Sequence, residues 1–209
     1  MFINLIGQER KFRNLINGQW CDSKSGNFIE IKSPINNDVV GLVPAMTKEE
    51  IDEVIAVAVN SKTKWKDTPI NERAEILYKA ADILQERIVE LSDILIREIA
   101  KDRKSAESEI KRTADFIRFT ADISKSIYGE SIQSDSFPGF DKKKLSIIVR
   151  EPMGVVLAIS PFNYPINLAA SLPPNSINTG TILIICDILL PTSLLPVKFI
   201  KSILGCVTT

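Results

Sequence analysis

The residues of this chain best placed for chemistry form a short polar turn, Ser160-Pro161-Phe162-Asn163-Tyr164-Pro165, directly after the apolar run 155–159. In an open parallel sheet, ligands gather beyond the carboxyl ends of the strands, so a site is expected at such a turn. Two prolines flank Asn163 and restrict the backbone, which favours a side-chain amide held ready to donate to a developing negative charge. The alternative is a strand-to-helix turn in which Asn163 only caps the helix.

Short strands and then helices precede this turn. Strand character appears over Leu15 to Trp20, Asn27 to Ile31 and Val39 to Val43, between turns rich in Gly, Ser and Asn. Thr47 and Glu50 have the spacing of a capping box, which predicts that a helix begins there.

Apolar residues at helical spacing follow the capping box, and we interpret these stripes as core rather than as a cofactor site. One stripe lies within 51–59, and the pattern resumes after Thr68-Pro69 and continues to Ile99. A further helix is predicted from about Ser105 to Ile127, where Gly129 provides the stop. The stripes consist of Ile51, Val54, Ile55, Ala58 and Val59, and then of Ile76, Leu77, Ala80, Ala81, Leu84, Ile88, Leu91, Leu95 and Ile99.

The pattern changes to extended segments after the last helix. A polar stretch from Glu130, a loose turn with Pro138-Gly139 and the run Leu145 to Val149 predict an antiparallel ribbon. The runs 155–159 and 181–186 are typical of buried strands of a parallel sheet. Beyond Ser171 the chain has few charged residues and several prolines.

Composition limits the classes of function. The chain has 209 residues, of which 44% are apolar and 25% charged, as in soluble globular proteins of one or two domains. Lys plus Arg equals Asp plus Glu at 26 each, so no overall field favours nucleic acid or an anionic membrane. We therefore expect neither as a partner.

The cysteines and the apolar runs indicate a compartment. Cys21, Cys186 and Cys206 lack CxxC spacing, and the chain has no His, so we predict no metal site and no disulfide framework. The start of the chain does not have the pattern of a secretory signal, and no run reaches the ~18 apolar residues of a membrane span. These observations predict a cytoplasmic protein.

Four segments carry a resemblance to a known family. The block from Arg150-Glu151-Pro152-Met153-Gly154 through VVLAISPFNYPINLAAS resembles the aldehyde dehydrogenase superfamily. The segments LINGQW at 15–20, VPAM at 43–46 and EIAK at 98–101 also resemble that family, so the likeness covers about residues 13–171. The segment 104–114 and the SPFNYP turn are most similar to the NADP-dependent, non-phosphorylating glyceraldehyde-3-phosphate dehydrogenases.

The resemblance implies an α/β fold, the amino-terminal part of the aldehyde dehydrogenase fold. Residues 1–127 would form the amino-terminal helical part of the cofactor-binding domain, and 128–152 an antiparallel oligomerisation ribbon. Residues 153–209 would begin a Rossmann-like parallel sheet that is incomplete and has a divergent tail.

The resemblance also implies roles for residues of the turn. In the family a Cys nucleophile attacks the aldehyde, hydride passes to the nicotinamide, and a Glu-activated water hydrolyses the thioester. Asn163 matches the side-chain donor of the oxyanion hole. Ser160, with the backbone of Pro161 and Phe162, matches a cofactor contact at the end of the first strand of the dinucleotide fold.

Substrate phosphate is held by an Arg and a Tyr in the glyceraldehyde-3-phosphate branch, and the matching positions are Arg112 and Tyr164. A guanidinium suits this task because its fork is always charged and engages phosphate oxygens bidentately. The alternatives are that Arg112 pairs with Glu109 or Asp115 on the helix surface, and that Tyr164 is a packed aromatic residue with a solvated hydroxyl.

The nucleophilic Cys and general-base Glu of the family have no match in this chain, and Cys206 lacks the flanking residues of that nucleophile. Cys186 stands where relatives have a Lys that reaches the adenosine ribose and phosphate, so binding of NADP or NAD is expected to be weak or absent. We interpret the chain as a truncated oxidoreductase of this family whose lineage activity is NADP-dependent oxidation of glyceraldehyde 3-phosphate to 3-phosphoglycerate, inactive alone. The alternative is a non-catalytic partner that forms homo-oligomers or associates with intact aldehyde dehydrogenase subunits.

Overall fold

Small hairpins, four long helices and a parallel strand pair make up the described part of this α/β chain. The computed structural model describes residues 11–127, 129–133 and 144–170, and the backbone of 182–185. The predicted turn at Pro138-Gly139, Cys186, Cys206 and most of the tail lie outside these residues. The elements are β1 Asn14–Ile16, β2 Gln19–Cys21, β3 Phe28–Lys32, β4 Val39–Pro44, α1 Lys48–Asp67, α2 Ile70–Glu86, α3 Ile88–Ile99, α4 Arg103–Ser124, β5 Glu130–Gln133, β6 Leu145–Ile148, β7 Val155–Ala158 and β8 Ile182–Ile185.

The amino-terminal strands form two antiparallel hairpins, β1 with β2 and β3 with β4. The prediction of strand character across Leu15 to Trp20 was wrong in one respect, because Asn17 and Gly18 turn the chain back on itself. Both have positive φ, 50° and 75°, which is the requirement of a two-residue hairpin turn of type I′. The predicted strands from Asn27 and Val39 are present as β3 and β4.

Helix α1 begins as its capping box predicts. The Thr47 hydroxyl accepts from the Glu50 N–H at 3.3 Å, and the Glu50 carboxylate accepts from the Thr47 N–H at 2.9 Å. Three members of its stripe were wrongly assigned to the core: Ile51, Ile55 and Val59 are 43, 44 and 50% exposed.

The contacts of α1 with β7 and β8 explain why part of its predicted core stripe is exposed. The helix lies against β7 and β8, and its buried apolar residues are Ala58 and Trp65, one stripe of the helix. Ile55 and Val59 lie on a neighbouring face of α1, and no element among the described residues covers that face.

Helices α2, α3 and α4 pack on one another and enclose the main core. The stripe from Ile76 to Ile99 was correctly assigned to this core, but it belongs to two helices, because Arg87 at φ −106° and ψ 20° separates α2 from α3. Helix α4 also ends at Ser124, before the predicted Ile127. Several alanines of α2 and α4 are fully buried and allow these helices to approach closely, namely Ala74, Ala80, Ala81, Ala106, Ala114 and Ala121.

The last described elements agree with the predicted ribbon and parallel sheet. Strands β5 and β6 pair antiparallel from Glu130 opposite Ile148 to Gln133 opposite Leu145. Strands β7 and β8 pair in parallel, with Val155 opposite Ile182. No helix within the described ranges is long and apolar enough to cross a membrane.

Candidate functional site

The polar turn after β7 leads into a helix whose first residue is Pro165. Its fixed φ and missing N–H suit the first position of a helix, and Pro165 is fully buried. Helical residues 165–170 place Ile166, Ala169 and Ala170 in the main core with α2 to α4. The turn is therefore anchored on its carboxyl side by apolar packing.

Asn163 precedes this helix and does not cap it. The first turn of the helix is closed by the Leu168 N–H, which donates to the Tyr164 carbonyl at 3.1 Å. Asn163 is exposed, and its side-chain amide makes no hydrogen bond with any described residue. The geometry disfavours the capping alternative and leaves the amide available for a ligand.

Glu109 of α4 caps the helix instead. Its Oε1 accepts from the N–H groups of Ile166 at 3.0 Å and Asn167 at 3.2 Å, although the side chain is completely buried. A carboxylate is favoured there because the first N–H groups of a helix have no partner within it and carry partial positive charge.

Lys101 connects the same carboxylate to the turn. Its Nζ lies 2.5 Å from Glu109 Oε2 and donates to the backbone carbonyl of Asn163 at 2.9 Å. The ammonium also lies 3.9 Å from the centre of the Tyr164 ring, a cation–π contact. One cation therefore holds two successive residues of the turn.

The connection between α3 and α4 positions Lys101. Ala100 ends α3 in the left-handed region at φ 53°, and Asp102 caps α4 by accepting from the Ser105 N–H at 2.9 Å. The hydroxyl and N–H of Ser105 lower the pKa of Asp102, so the cap is ionised at neutral pH.

Thr113 adds a third link between α4 and the new helix. Its hydroxyl donates to the Glu109 carbonyl at 2.7 Å and accepts from the Asn167 side-chain amide at 3.3 Å. Thr113 is fully buried, so this contact is sheltered from water. Helix α4 thus packs directly on the element that follows β7, as convergence of Arg112 and Tyr164 requires.

Arg112 lies on α4 between Glu109 and Thr113 and is exposed. Neither expected ion pair forms: Glu109 pairs with Lys101, and Asp115 pairs with Arg118 at 3.6 Å. Among the described residues Arg112 has no ionic partner, and no hydrogen bond joins it to Tyr164. No described carboxylate therefore competes with an external anion for this guanidinium.

Ser160 stands at the end of β7, where the cofactor contact was predicted. Its hydroxyl oxygen is shielded from solvent and has no hydrogen-bond partner among the described residues. Pro161 and Phe162 follow it on the surface. A buried polar atom without a partner is costly, so this hydroxyl fits a position that a bound ligand completes.

Comparisons with known proteins show the family of this chain. A model of the aldehyde dehydrogenase family matches residues 20–189. This chain belongs to the aldehyde dehydrogenase family. Within that family it is 45% identical over 162 residues to the NADP-dependent glyceraldehyde-3-phosphate dehydrogenase of Streptococcus equinus, covering 78% of this chain and 34% of the relative.

Two further members are similar. The enzyme of the same description from Nicotiana plumbaginifolia is 39% identical over 173 residues, or 82% of this chain and 35% of its own. The crystal structure of NADP-dependent glyceraldehyde-3-phosphate dehydrogenase from Bacillus halodurans C-125 complexed with NADP superposes with a TM-score of 0.86 at 40% identity, over 92% of this chain and 40% of that one. The chain thus spans about a third of the length of the curated aldehyde dehydrogenases it matches.

Sequence reasoning missed the contacts that Lys101 and Glu109 make with the turn in this chain. Glu109 was considered only as a surface partner of Arg112. A signal was present, because Glu109 falls on the same helical stripe as Ala106, Ile110 and Thr113, where a charged residue must find a buried partner.

No group of metal-binding side chains occurs in the described part of the chain. The free cysteine of that part is Cys21, which lies in the β1–β2 hairpin.

Proposed function

We propose that this chain carries the oxyanion donor, the phosphate-binding residues and the first cofactor contact for NADP-dependent oxidation of glyceraldehyde 3-phosphate to 3-phosphoglycerate. It does not turn over alone, because it has no match to the nucleophilic Cys and general-base Glu of the family. The observation that carries the proposal is the side-chain amide of Asn163, which is exposed and has no hydrogen-bond partner among the described residues, on a turn whose backbone is fixed by Lys101 and Glu109.

Asn163 is suited to stabilising an oxyanion. A donor aimed at developing charge accelerates the reaction most when it needs no reorganisation. Here the carbonyl of Asn163 is held by Lys101, and the chain beyond it is held by Pro165 and the Glu109 cap. The amide is thus attached to a rigid backbone and is free of competing partners among the described residues.

Arg112 and Tyr164 would recognise the substrate phosphate. Both side chains are exposed, and both belong to elements joined by the Glu109 and Thr113 contacts. The absence of an ionic partner for Arg112 in the described part of the chain supports this role, because no carboxylate has to be displaced before phosphate binds.

NADP fits the residues at the end of β7. The Ser160 hydroxyl, which has no hydrogen-bond partner in the described part of the chain, and the exposed residues that follow it would contact the cofactor. The nicotinamide, when bound, supplies a hydride acceptor. Retention of NADP also depends on the adenosine end, where Cys186 replaces a cationic side chain.

A chimera tests the proposal. The matched segment of the Streptococcus equinus enzyme is replaced by that of this chain, and kinetics are measured with glyceraldehyde 3-phosphate and with glyceraldehyde. Arg112→Leu should raise KM for the phosphorylated aldehyde by roughly 10- to 100-fold, because charge-assisted hydrogen bonds contribute about 1.5–3 kcal/mol. The unphosphorylated aldehyde should be little affected.

The control for this experiment is Lys111→Met, which removes the neighbouring exposed cation of α4. It should leave both KM values nearly unchanged. An equal loss for both aldehydes in Arg112→Leu would contradict the phosphate role and would mark Arg112 as structural.

The exposed ribbon favours a second candidate function, a non-catalytic partner of intact subunits. Leu145, Ile147 and Val149 are 61, 71 and 76% exposed on or next to β6. Apolar side chains concentrated on a two-stranded ribbon are typical of an interface, since such a ribbon has two edges and no covering layer among the described residues.

Co-purification distinguishes the two functions. If the ribbon joins subunits, the tagged chain should retain a co-expressed full-length relative, and Ile147→Lys should abolish retention. Ile35→Lys is the matched control, because Ile35 is 61% exposed in the turn between β3 and β4. Equal retention by Ile147→Lys and the unmodified chain would exclude the ribbon as the interface.

A further inference from the structure

Two charged residues far apart from the turn in sequence hold it from both sides. Lys101 reaches Asn163 across 62 positions, and Glu109 reaches Ile166 and Asn167 across 57 and 58. Both bonds run to backbone atoms, so they fix the path of the chain and not a particular side chain.

The two attachments bracket a short segment. Lys101 holds the carbonyl of Asn163, Glu109 holds the N–H groups after Pro165, and only Tyr164 lies between Asn163 and that proline. Proline fixes φ at its own position and restricts the residue before it. The backbone from Asn163 to Ile166 therefore has little remaining freedom, and the direction of the Asn163 Cα–Cβ bond is set with it.

The hydrogen bonds to the backbone of the turn, more than the ion pair itself, distinguish this pair from apolar residues. A buried ion pair is often no more stabilising than apolar residues of the same size, because both charges lose water. Apolar replacements would fill the space between α4 and the turn, but they would leave the N–H groups of Ile166 and Asn167 and the Asn163 carbonyl without these partners.

We propose that Lys101 and Glu109 are positioning residues that together fix the backbone from which the side-chain amide of Asn163 is presented. Lys101 acts on the carbonyl of Asn163 and on the ring of Tyr164, whereas Glu109 orients Lys101 and caps the following helix. The catalytic meaning of this geometry rests on the function proposed above, but the positioning itself is a property of the chain as it stands.

Nuclear magnetic resonance of the ¹⁵N-labelled full chain tests the positioning without substrate. In the unmodified chain the Asn163 and Tyr164 amides should show order parameters near 0.85, as in rigid backbone. Lys101→Met, which retains the aliphatic stem, should lower them below about 0.6. Lys101→Arg should restore them, since a guanidinium can still reach both the carboxylate and the carbonyl.

Glu109→Gln examines the same link from the other side. It keeps an oxygen acceptor but removes the charge, and amide exchange at Ile166 and Asn167 should become at least about tenfold faster. Glu107→Gln, on the same helix, is the control and should change neither measurement.

Unchanged order at Asn163 in Lys101→Met, with or without a lower melting temperature, would overturn the proposal and reduce the pair to a structural contact. The proposal is overturned equally if Lys101→Arg fails to restore the order although the chain is folded. If Glu109→Gln does not fold, the comparison of Lys101→Met with Lys101→Arg decides alone. None of these results depends on activity, so they are separate from the failure of the proposed function.

Discussion

Replacement of Ile110 by Ala measures how firmly α4 is held against the core. Ile110 is fully buried and directly follows Glu109, so the packing that it makes also sets the position of the cap on the helix after β7. Ile123 lies near the other end of the same helix and is 44% exposed. The two isoleucines form a matched pair in which burial is the main difference.

The magnitude follows from the atoms removed. Ile→Ala deletes three carbons, which at about 0.8 kcal/mol each give about 2.4 kcal/mol, and the cavity left in a close-packed site raises the cost to about 3–4 kcal/mol. Ile123 is half-exposed, so Ile123→Ala should lower the free energy of unfolding by about 1 kcal/mol. Ala is the better helix former by a few tenths of a kcal/mol, and this gain is smaller at Ile123, one residue before the end of α4, so it reduces the expected difference only slightly.

Urea unfolding followed by circular dichroism gives the two free energies of unfolding. We expect Ile110→Ala to be less stable than Ile123→Ala by about 2–3 kcal/mol, with the same dependence on urea. A difference below about 1 kcal/mol would refute the reasoning, because it would mean that α4 is not embedded in the core as described.

Three further predictions concern activity, cofactor and pH. The isolated chain should show no enzyme-dependent reduction of NADP with glyceraldehyde 3-phosphate, and turnover abolished by Cys206→Ser would contradict this. Calorimetry should detect weak NADP binding at most, which Cys186→Lys should tighten; tight binding by the unmodified chain would mean that Cys186 does not match the lysine of relatives. Hydrogen bonds from the N–H groups of Thr47 and Lys24 hold the pKa of Glu50 below its ordinary value of 4.5, so its contribution to stability is present above that pH and is lost as the pH falls through the folded-state value. The stability gap between the unmodified chain and Glu50→Gln should therefore be larger at about pH 7 than at about pH 3, and a gap independent of pH would contradict the assignment.

Local signals in the sequence predicted much of the fold. The capping box of Thr47 and Glu50 fixed the start of α1 because both bonds form within one turn of chain. The extended segments on either side of a loose turn predicted the ribbon, and the continuous apolar runs predicted the parallel strands that are present as β7 and β8. The break at Arg87 was missed because the apolar stripe continues through it without a Gly or Pro.

Interactions between distant segments were harder to predict. The exposure of Ile55 and Val59 depends on which side of α1 meets the strands, and periodicity does not give that direction. The polar turn was recognised from its own residues, but the contacts that hold it come from Lys101 and Glu109, which lie about 60 positions earlier. The position of Glu109 on an apolar helical stripe was the one sign of these contacts in the sequence.

The turnover of the chimera with Asn163→Ala tests the central claim, that this turn presents an oxyanion donor. Loss of one such donor lowers kcat by roughly 10²- to 10³-fold in enzymes that use one. We predict a decrease of that size, with a much smaller change in KM, because the contact strengthens only as charge develops on the oxygen. A kcat within about threefold of the unmodified chimera would contradict the claim and would leave Asn163 as an ordinary surface residue of the turn.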